Sequence, residues 1–251
     1  MKKWTSSFVT LIYIIVFLYS GFSLVKYLYT YYEASQSLKE VQEIYETTLE
    51  SIDEKERSFT KDYTIRPQFR DLQDVNQQIV GWISVDGTKL DNPILQTDNN
   101  TFYLDHNFKD RYSRAGSIFM DYRNDVMHMN RNTILYGHAM KNGTMFGSLK
   151  NYLKQDYANA HRIIYLDTLY EGYDVEVFAA YETTIDFYYI ETDFQTDEAF
   201  SHFIEEVNKR SMIEMNVEVG FDDQIVTLST CKDFFASNEQ RIVVQGKLVK
   251  R

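Results

Sequence analysis

Hydrophobic positions along the chain fall into three patterns. From Trp4 to Val25 no residue is charged, and the run includes Phe8, Val9, Leu11, Ile12, Ile14, Ile15, Val16, Phe17 and Leu18. A helix of that length rises about 33 Å, enough to cross a bilayer core. Lys2 and Lys3 precede it and few basic residues follow closely, which places the N-terminus on the cytoplasmic side. The run is long for a cleaved signal peptide and no A-x-A-like site follows it, so the pattern predicts an uncleaved anchor. Over residues 33–57 the period becomes helical: Leu38, Val41, Tyr45, Leu49 and Ile52 recur at steps of three and four in an acidic stretch without Gly or Pro. This predicts a stalk helix with one face laid on the domain behind it. Two and a half heptads are too few to specify a coiled coil.

From about residue 70 short strands take over. Trp82–Val85 and Lys89-Leu90 flank Asp86-Gly87, a hairpin signal because Gly tolerates positive φ. Apolar or alternating runs follow at Thr133–Tyr136, Arg162–Leu166, Tyr173–Tyr181, Gln224–Leu228 and Arg241–Val249. Their β-branched content predicts a mainly antiparallel sheet closed into a barrel or sandwich. Helical periods interrupt it at Thr144–Gln155, through Met145, Leu149 and Leu153, and at Asp197–Lys209, through Phe200, Phe203, Ile204 and Val207. The fold class is mainly β with a few packed helices. The expected division is an anchor over 1–30, an acidic helical stalk over 31–66 and a catalytic domain over 67–251.

Composition changes this picture in two places. A formal charge of −11 argues against nucleic-acid binding, which needs clustered Lys and Arg. The chain has a single cysteine, so it forms no internal disulfide. A lone cysteine on the outer side of a membrane is exposed to oxidation and mispairing, and its retention points to chemistry.

That residue, Cys231, ends the apolar strand Thr227-Leu228-Ser229-Thr230 where a loop begins. A strand end is a rigid platform for a nucleophile. Arg241 opens the next strand and returns beside Cys231 if the two strands pair; its permanent charge suits a thiolate or a substrate carbonyl. A cysteine nucleophile also needs a proton carrier, and His106, His128, His138, His161 and His202 are the candidates. His138 differs from the rest in ending an apolar strand, Ile134-Leu135-Tyr136-Gly137. No histidine or cysteine pair has metal-ligand spacing, no glycine-rich phosphate loop is present, and there is no G-x-S-x-G elbow.

With these residues in place the sequence resembles the class B sortases. Thr227–Cys231 matches the TLxTC signature of that family, Arg241 follows ten residues later, and Leu135–His138 matches the segment carrying the family histidine. Gly116–Asn124 and Thr144-Met145-Phe146 match as well, and the likeness runs from about residue 70 to the C-terminus. The resemblance implies an eight-stranded β-barrel in a Gram-positive bacterium, membrane-anchored with its catalytic domain outside. It implies cleavage of an NPxT-type C-terminal sorting signal after Thr, through a thioester on Cys231, and transfer of the acyl group to an amine of peptidoglycan or a pilin. His138 would move the protons and Arg241 would hold the substrate and the oxyanion. Asp233 matches an acidic position that supports the histidine in some members. Asn100, Leu104, Tyr189, Ile190, Ser229 and Thr230 fall at positions that line the signal groove. Ile185 and Lys232 depart from the Thr and Glu of a relative, so signal recognition is expected to differ there. No cofactor is implied. Two rivals are a peptidase using the same triad and a tethered binding domain in which Cys231 is only structural.

Overall fold

The computed structural model describes residues 2–52, 64–184, 186–231 and 240–251, and for residues 2–7 and Cys231 the backbone alone. The first element is one unbroken helix, α1 (Lys2–Ser51), which runs through the expected boundary at residue 30 without a break. Its two halves are distinguished by what covers them. From Phe8 to Val25 the large apolar side chains are exposed all round, so no protein surface buries them. The helix is long and apolar enough to cross a membrane. From Ala34 onwards one face meets the barrel, and Val41 and Tyr45 are buried.

After a 3₁₀ turn (Pro67–Phe69) and a short helix α2 (Arg70–Val75), the strands are β1 (Ile79–Ser84), β2 (Asp91–Leu95), β3 (Ile118–Met120) and β4 (Asn132–His138). A 3₁₀ stretch (Phe146–Leu153) and α3 (Gln155–Ala160) lead to β5 (Ile163–Thr168) and β6 (Gly172–Thr183). Helix α4 (Asp197–Arg210) precedes β7 (Ile225–Cys231) and β8 (Arg241–Lys250). The strands close into a barrel in the order β1-β2-β3-β4-β7-β8-β6-β5. Pairing is antiparallel except at β2–β3 and β4–β7. The sheet is thus mainly antiparallel and closes as a barrel, because every edge finds a partner and none is left to template aggregation. The β1–β2 connection turns at Gly87, whose φ of +71° suits a residue without a Cβ.

Three apolar clusters carry the packing. The barrel interior is filled by residues such as Ile83, Ile94, Leu135, Leu166, Val175, Leu228 and Val244. A second cluster joins α1 to the outside of β1: the Tyr45 ring stacks on Trp82 with centroids 4.2 Å apart, over Phe69 and Leu72. Hydrogen bonds pin that docking, from Gln42 Nε2 to the Asp91 carbonyl and from Thr48 Oγ1 to Asp71, each 2.8 Å. The third cluster seats α4 on β6 and β8 through Phe200, Phe203, Ile204 and Val207. That helix begins at Thr196, whose side chain accepts from the Ala199 N–H, and carries Asp197 and Glu198 in its first turn and Lys209 and Arg210 in its last.

The stretch around Thr144–Gln155 departs from the expected α-helix. Phe146, Leu149 and Tyr152 are each fully buried, and their spacing of three matches the 3.0 residues per turn of a 3₁₀ helix. The stripe through Met145, Leu149 and Leu153 is α-periodic, but tertiary burial favours the other register.

Candidate active site

Two strand pairings assemble the site. In the parallel β4–β7 ladder His138 is the register partner of Cys231, and in the antiparallel β7–β8 ladder Cys231 is the partner of Arg241. Backbones of neighbouring strands lie about 5 Å apart, so the three residues form a row across about 10 Å of sheet. A parallel neighbour needs a long crossover. Here residues 139–224 make it, which is why sequence distance hides the pairing.

His138 is 8 % exposed. Its Nε2 lies 2.6 Å from the Leu104 carbonyl oxygen. A carbonyl can only accept, so Nε2 carries the proton and Nδ1 is the basic nitrogen. Burial pushes the imidazolium pKa down, and the Leu104 carbonyl and Asp105 oppose this without reversing it. Burial thus favours the neutral ring over the imidazolium.

Two glycines make that geometry fit. A Cβ on Gly137 would stand 2.9 Å from the Phe146 ring. Gly116, at φ +56°, has no room for a Cβ because the Tyr103 and Leu104 carbonyl oxygens lie 2.5 Å from where it would be. The Ser117 N–H donates to the Tyr103 carbonyl at 2.9 Å, and Ser117 Oγ donates to the His106 carbonyl at 2.9 Å. The Gly116-Ser117 pair thus seats the turn whose Leu104 carbonyl orients His138.

Around this row, Arg241 Nη1 makes a long 3.4 Å contact to the Gln240 carbonyl. The Tyr189 and Ser229 hydroxyls are 2.8 Å apart and buried. Thr230 is buried, its backbone paired with Gly137 on one side and Ile242 on the other. Asn100 and Ile190 are joined through Asp121 and Arg123, two residues of the matched segment Gly116–Asn124 to which the sequence alone gave no role. Asp121 is fully buried. Its carboxylate accepts from Asn100 Nδ2 at 2.9 Å, Tyr136 Oη at 2.9 Å, and Arg123 Nε and Nη2 at 2.8 Å each. Arg123 in turn donates to the Ile190 carbonyl at 2.9 Å and the Tyr188 hydroxyl at 3.0 Å. Burial alone would raise the Asp121 pKa, but these hydrogen bonds outweigh it and hold the carboxyl below the usual range. One buried ion pair therefore ties the Asn100 turn to the segment after β6.

A second buried chain crosses the sheet. Thr227 Oγ1 donates to Asn132 Oδ1 and Gln245 Nε2 donates to Thr227 Oγ1, each at 2.7 Å, and Asn132 Nδ2 reaches the Glu191 carbonyl at 2.8 Å. The first Thr of the Thr227–Cys231 motif is thus a structural link under the site. The signal for both networks was present as polar residues inside apolar runs. Their partners, however, lie dozens of residues away. Asp233, Lys232 and Ile185 lie outside the described residues. Among the described residues no group of three His, Cys, Asp or Glu side chains gathers as a metal site.

A closed barrel that sets a histidine, a cysteine and an arginine abreast at strand ends is the framework of a cysteine transpeptidase. The family described as Sortase domain matches residues 83–249. Sortase B of Listeria monocytogenes is 39% identical over 252 aligned residues, covering 100% of this chain and 99% of that protein. Sortase B of Staphylococcus aureus is 45% identical over 186 residues, 74% of this chain and 76% of that one. Among solved structures, a Bacillus anthracis protein described as similar to sortase B superposes with TM-score 0.79 at 50% identity over 88% of this chain and 98% of its own. A Staphylococcus aureus sortase B–substrate complex does so with TM-score 0.79 at 39% identity, over 87% and 97%. The chain belongs to the sortase family, in its class B branch, and is a cysteine transpeptidase acting on proteins with sorting signals.

Proposed function

We propose that Cys231, His138 and Arg241 carry the transpeptidation, with a C-terminal NPxT-type sorting signal as acyl donor and an amine of peptidoglycan or a pilin as acceptor. The observation that carries this reading is the row His138–Cys231–Arg241 in two adjacent ladders. His138, neutral at rest, takes the thiol proton at Nδ1 as Cys231 Sγ attacks the Thr carbonyl carbon. It returns that proton to the leaving amine as the C–N bond breaks, which leaves the thioester. In the second half the acceptor amine attacks the thioester, its proton passes to Nδ1, the C–S bond breaks, and that proton returns to Sγ to restore the thiol. Arg241 donates to the carbonyl oxygen as it gains charge. Loss of one such donor typically costs about 10²–10³-fold in turnover.

Asn100, Leu104, Tyr189, Ile190, Ser229 and Thr230 are the proposed signal groove, supported by the Tyr189–Ser229 contact and by the Asp121–Arg123 pair that joins the turns bearing Asn100 and Ile190. Asp233 is proposed as a support for His138 on family resemblance. The long apolar N-terminal helix fits a membrane anchor with a cytoplasmic N-terminus and an outer catalytic domain, and the 1–30, 31–66 and 67–251 division is kept as a functional one. One sortase B structure is described as a complex with triglycine, which favours short peptide amines as acceptors.

The test is intact-mass spectrometry of the protein mixed with an NPxT-type peptide, with and without an amine. An adduct on Cys231 that an amine discharges into a ligated product, absent in Cys231→Ala and strongly slowed in His138→Ala and Arg241→Ala, is the expected result. An adduct released only to water would indicate a peptidase. No adduct over a panel of signals would overturn the assignment.

A further inference from the structure

Just past Val25, where the uncharged run ends, α1 carries Lys26 and then Tyr27, Tyr29, Tyr31 and Tyr32. Tyr29 and Tyr32 are exposed. Clustered tyrosines beside a lysine mark the headgroup layer of a bilayer, which is about 5–8 Å thick on each side of the hydrocarbon core. Val25 to Tyr29 is about 6 Å of helix rise, so the layer falls on these residues. The barrel reaches the same level. The Arg114 guanidinium lies 5.8 Å from the Tyr27 ring centroid. Tyr112, Arg114 and Lys141 border one cavity with Tyr27 and Tyr31. Tyr112 is 68% exposed, and Arg114 and Lys141 are exposed as well. The carboxylate on that border, Asp105, is paired with His106 at 2.7 Å.

We propose that Lys26, Tyr112, Arg114 and Lys141 form a docking face for the anionic headgroups of the membrane that holds α1, an inference that rests on the membrane anchor proposed above. Basic side chains beside a span are drawn to anionic headgroups, and the attraction fades within a Debye length of about 8 Å. That range sorts the cations of the β2–β3 connection. Lys109 pairs with Glu40, about 22 Å of helix rise beyond Val25, and stands too far out to take part. Arg114 stands over Tyr27, inside the headgroup layer, where its guanidinium meets phosphate and the Tyr112 ring extends the tyrosine belt of α1. The formal charge of the whole chain is −11, and the stalk is acidic from Glu33 onwards, so most of this surface is repelled by an anionic bilayer. Positive groups at the one edge that touches the lipid give the barrel a fixed side to rest on. His138 borders the same cavity and lies three residues before Lys141, so docking turns the His138 end of the barrel toward the bilayer.

The test uses the full chain in lipid nanodiscs, with Cys231→Ala to remove the native thiol and a nitrobenzoxadiazole label on Arg111→Cys, beside the docking face. A nitroxide on the lipid headgroup quenches a label that lies in that layer. The control carries the label on Asp222→Cys, before the start of β7 and about 20 Å of strand from its Cys231 end. In nanodiscs of equal parts phosphatidylglycerol and phosphatidylcholine, quenching at residue 111 should exceed that at residue 222 by about threefold or more. It should fall by about the same factor in phosphatidylcholine alone, and in the Arg114→Glu, Lys141→Glu double variant. Quenching at residue 111 no greater than at residue 222 would overturn the proposal. Quenching that neither the lipid charge nor the double variant changes would overturn it too, since the contact would then owe nothing to these cations. If the chain does not enter nanodiscs at all, the anchor itself fails, and the docking face with it.

Discussion

Replacing Asp121 by Asn tests whether the buried ion pair at the groove sets the substrate site. The carboxylate receives two bonds from the Arg123 guanidinium, one each from Asn100 and Tyr136, and one from the Arg123 N–H at 3.0 Å. An amide has the same shape but one acceptor oxygen, so the group facing either Arg123 or Asn100 becomes a donor against a donor. The Arg123 side chain is 28% exposed, which lets water recover part of the loss. Breaking a buried pair by removing one partner costs roughly 3–5 kcal/mol. The partial exposure brings the expectation to about 3 kcal/mol, or a fall in Tm of about 6–12 °C for a domain of this size. Asn100 and Ile190 should then lose their fixed relation, raising KM for the signal peptide more than it lowers kcat. Thermal unfolding and peptide-cleavage kinetics on the same preparation read both effects. A Tm within about 2 °C of the parent and an unchanged KM would refute the argument.

The pH dependence has a definite sign. Asp121 has a folded pKa below its unfolded value of 3.8, so its stabilisation is complete above that pH and disappears as pH falls through the folded value. Asp121→Asn should therefore flatten the acid limb of stability, which urea titrations at about pH 3 and pH 6 would show. His138 shifts the other way: burial disfavours its charged form, so its NMR titration midpoint in Cys231→Ala protein should lie below 6.5. A midpoint above 6.5 would contradict a neutral base. Gly116→Ala should press on the Leu104 carbonyl and cost about 1–3 kcal/mol, with a further loss of turnover because His138 loses its fixed tautomer; denaturant unfolding and peptide cleavage read the two effects. Tyr189→Phe removes the buried bond to Ser229 and should cost about 1 kcal/mol, measured by denaturant unfolding.

Much of the architecture was legible from local pattern. The stripe of Val41 and Tyr45, the alternating runs and the Phe200–Val207 stripe each report which side of one segment is buried, and the uncharged run from Trp4 reports a segment apolar on every side; both are written into consecutive residues. The strand ends at His138 and Cys231 were legible for the same reason, and the motif around Cys231 pointed to the chemistry. Other features depended on residues far apart in the chain. The row His138–Cys231–Arg241 requires a parallel pairing across the long crossover 139–224, and no local period encodes it. The 3₁₀ form of Phe146–Leu153 was decided by the barrel, which buries Phe146, Leu149 and Tyr152 completely. Asp121 and Arg123 lie in the matched segment Gly116–Asn124, but nothing local gives them a role until the fold wraps Asn100, Tyr136 and Ile190 around them. The apolar N-terminal helix and His138 share a cavity only because Tyr45 stacks on Trp82 and docks α1 along the barrel. Sequence by itself determined most of the elements and pointed to the candidate reactive groups, because propensity and burial act on neighbours in the chain. Tertiary structure decided which groups face one another, because contact energy depends on distance in space.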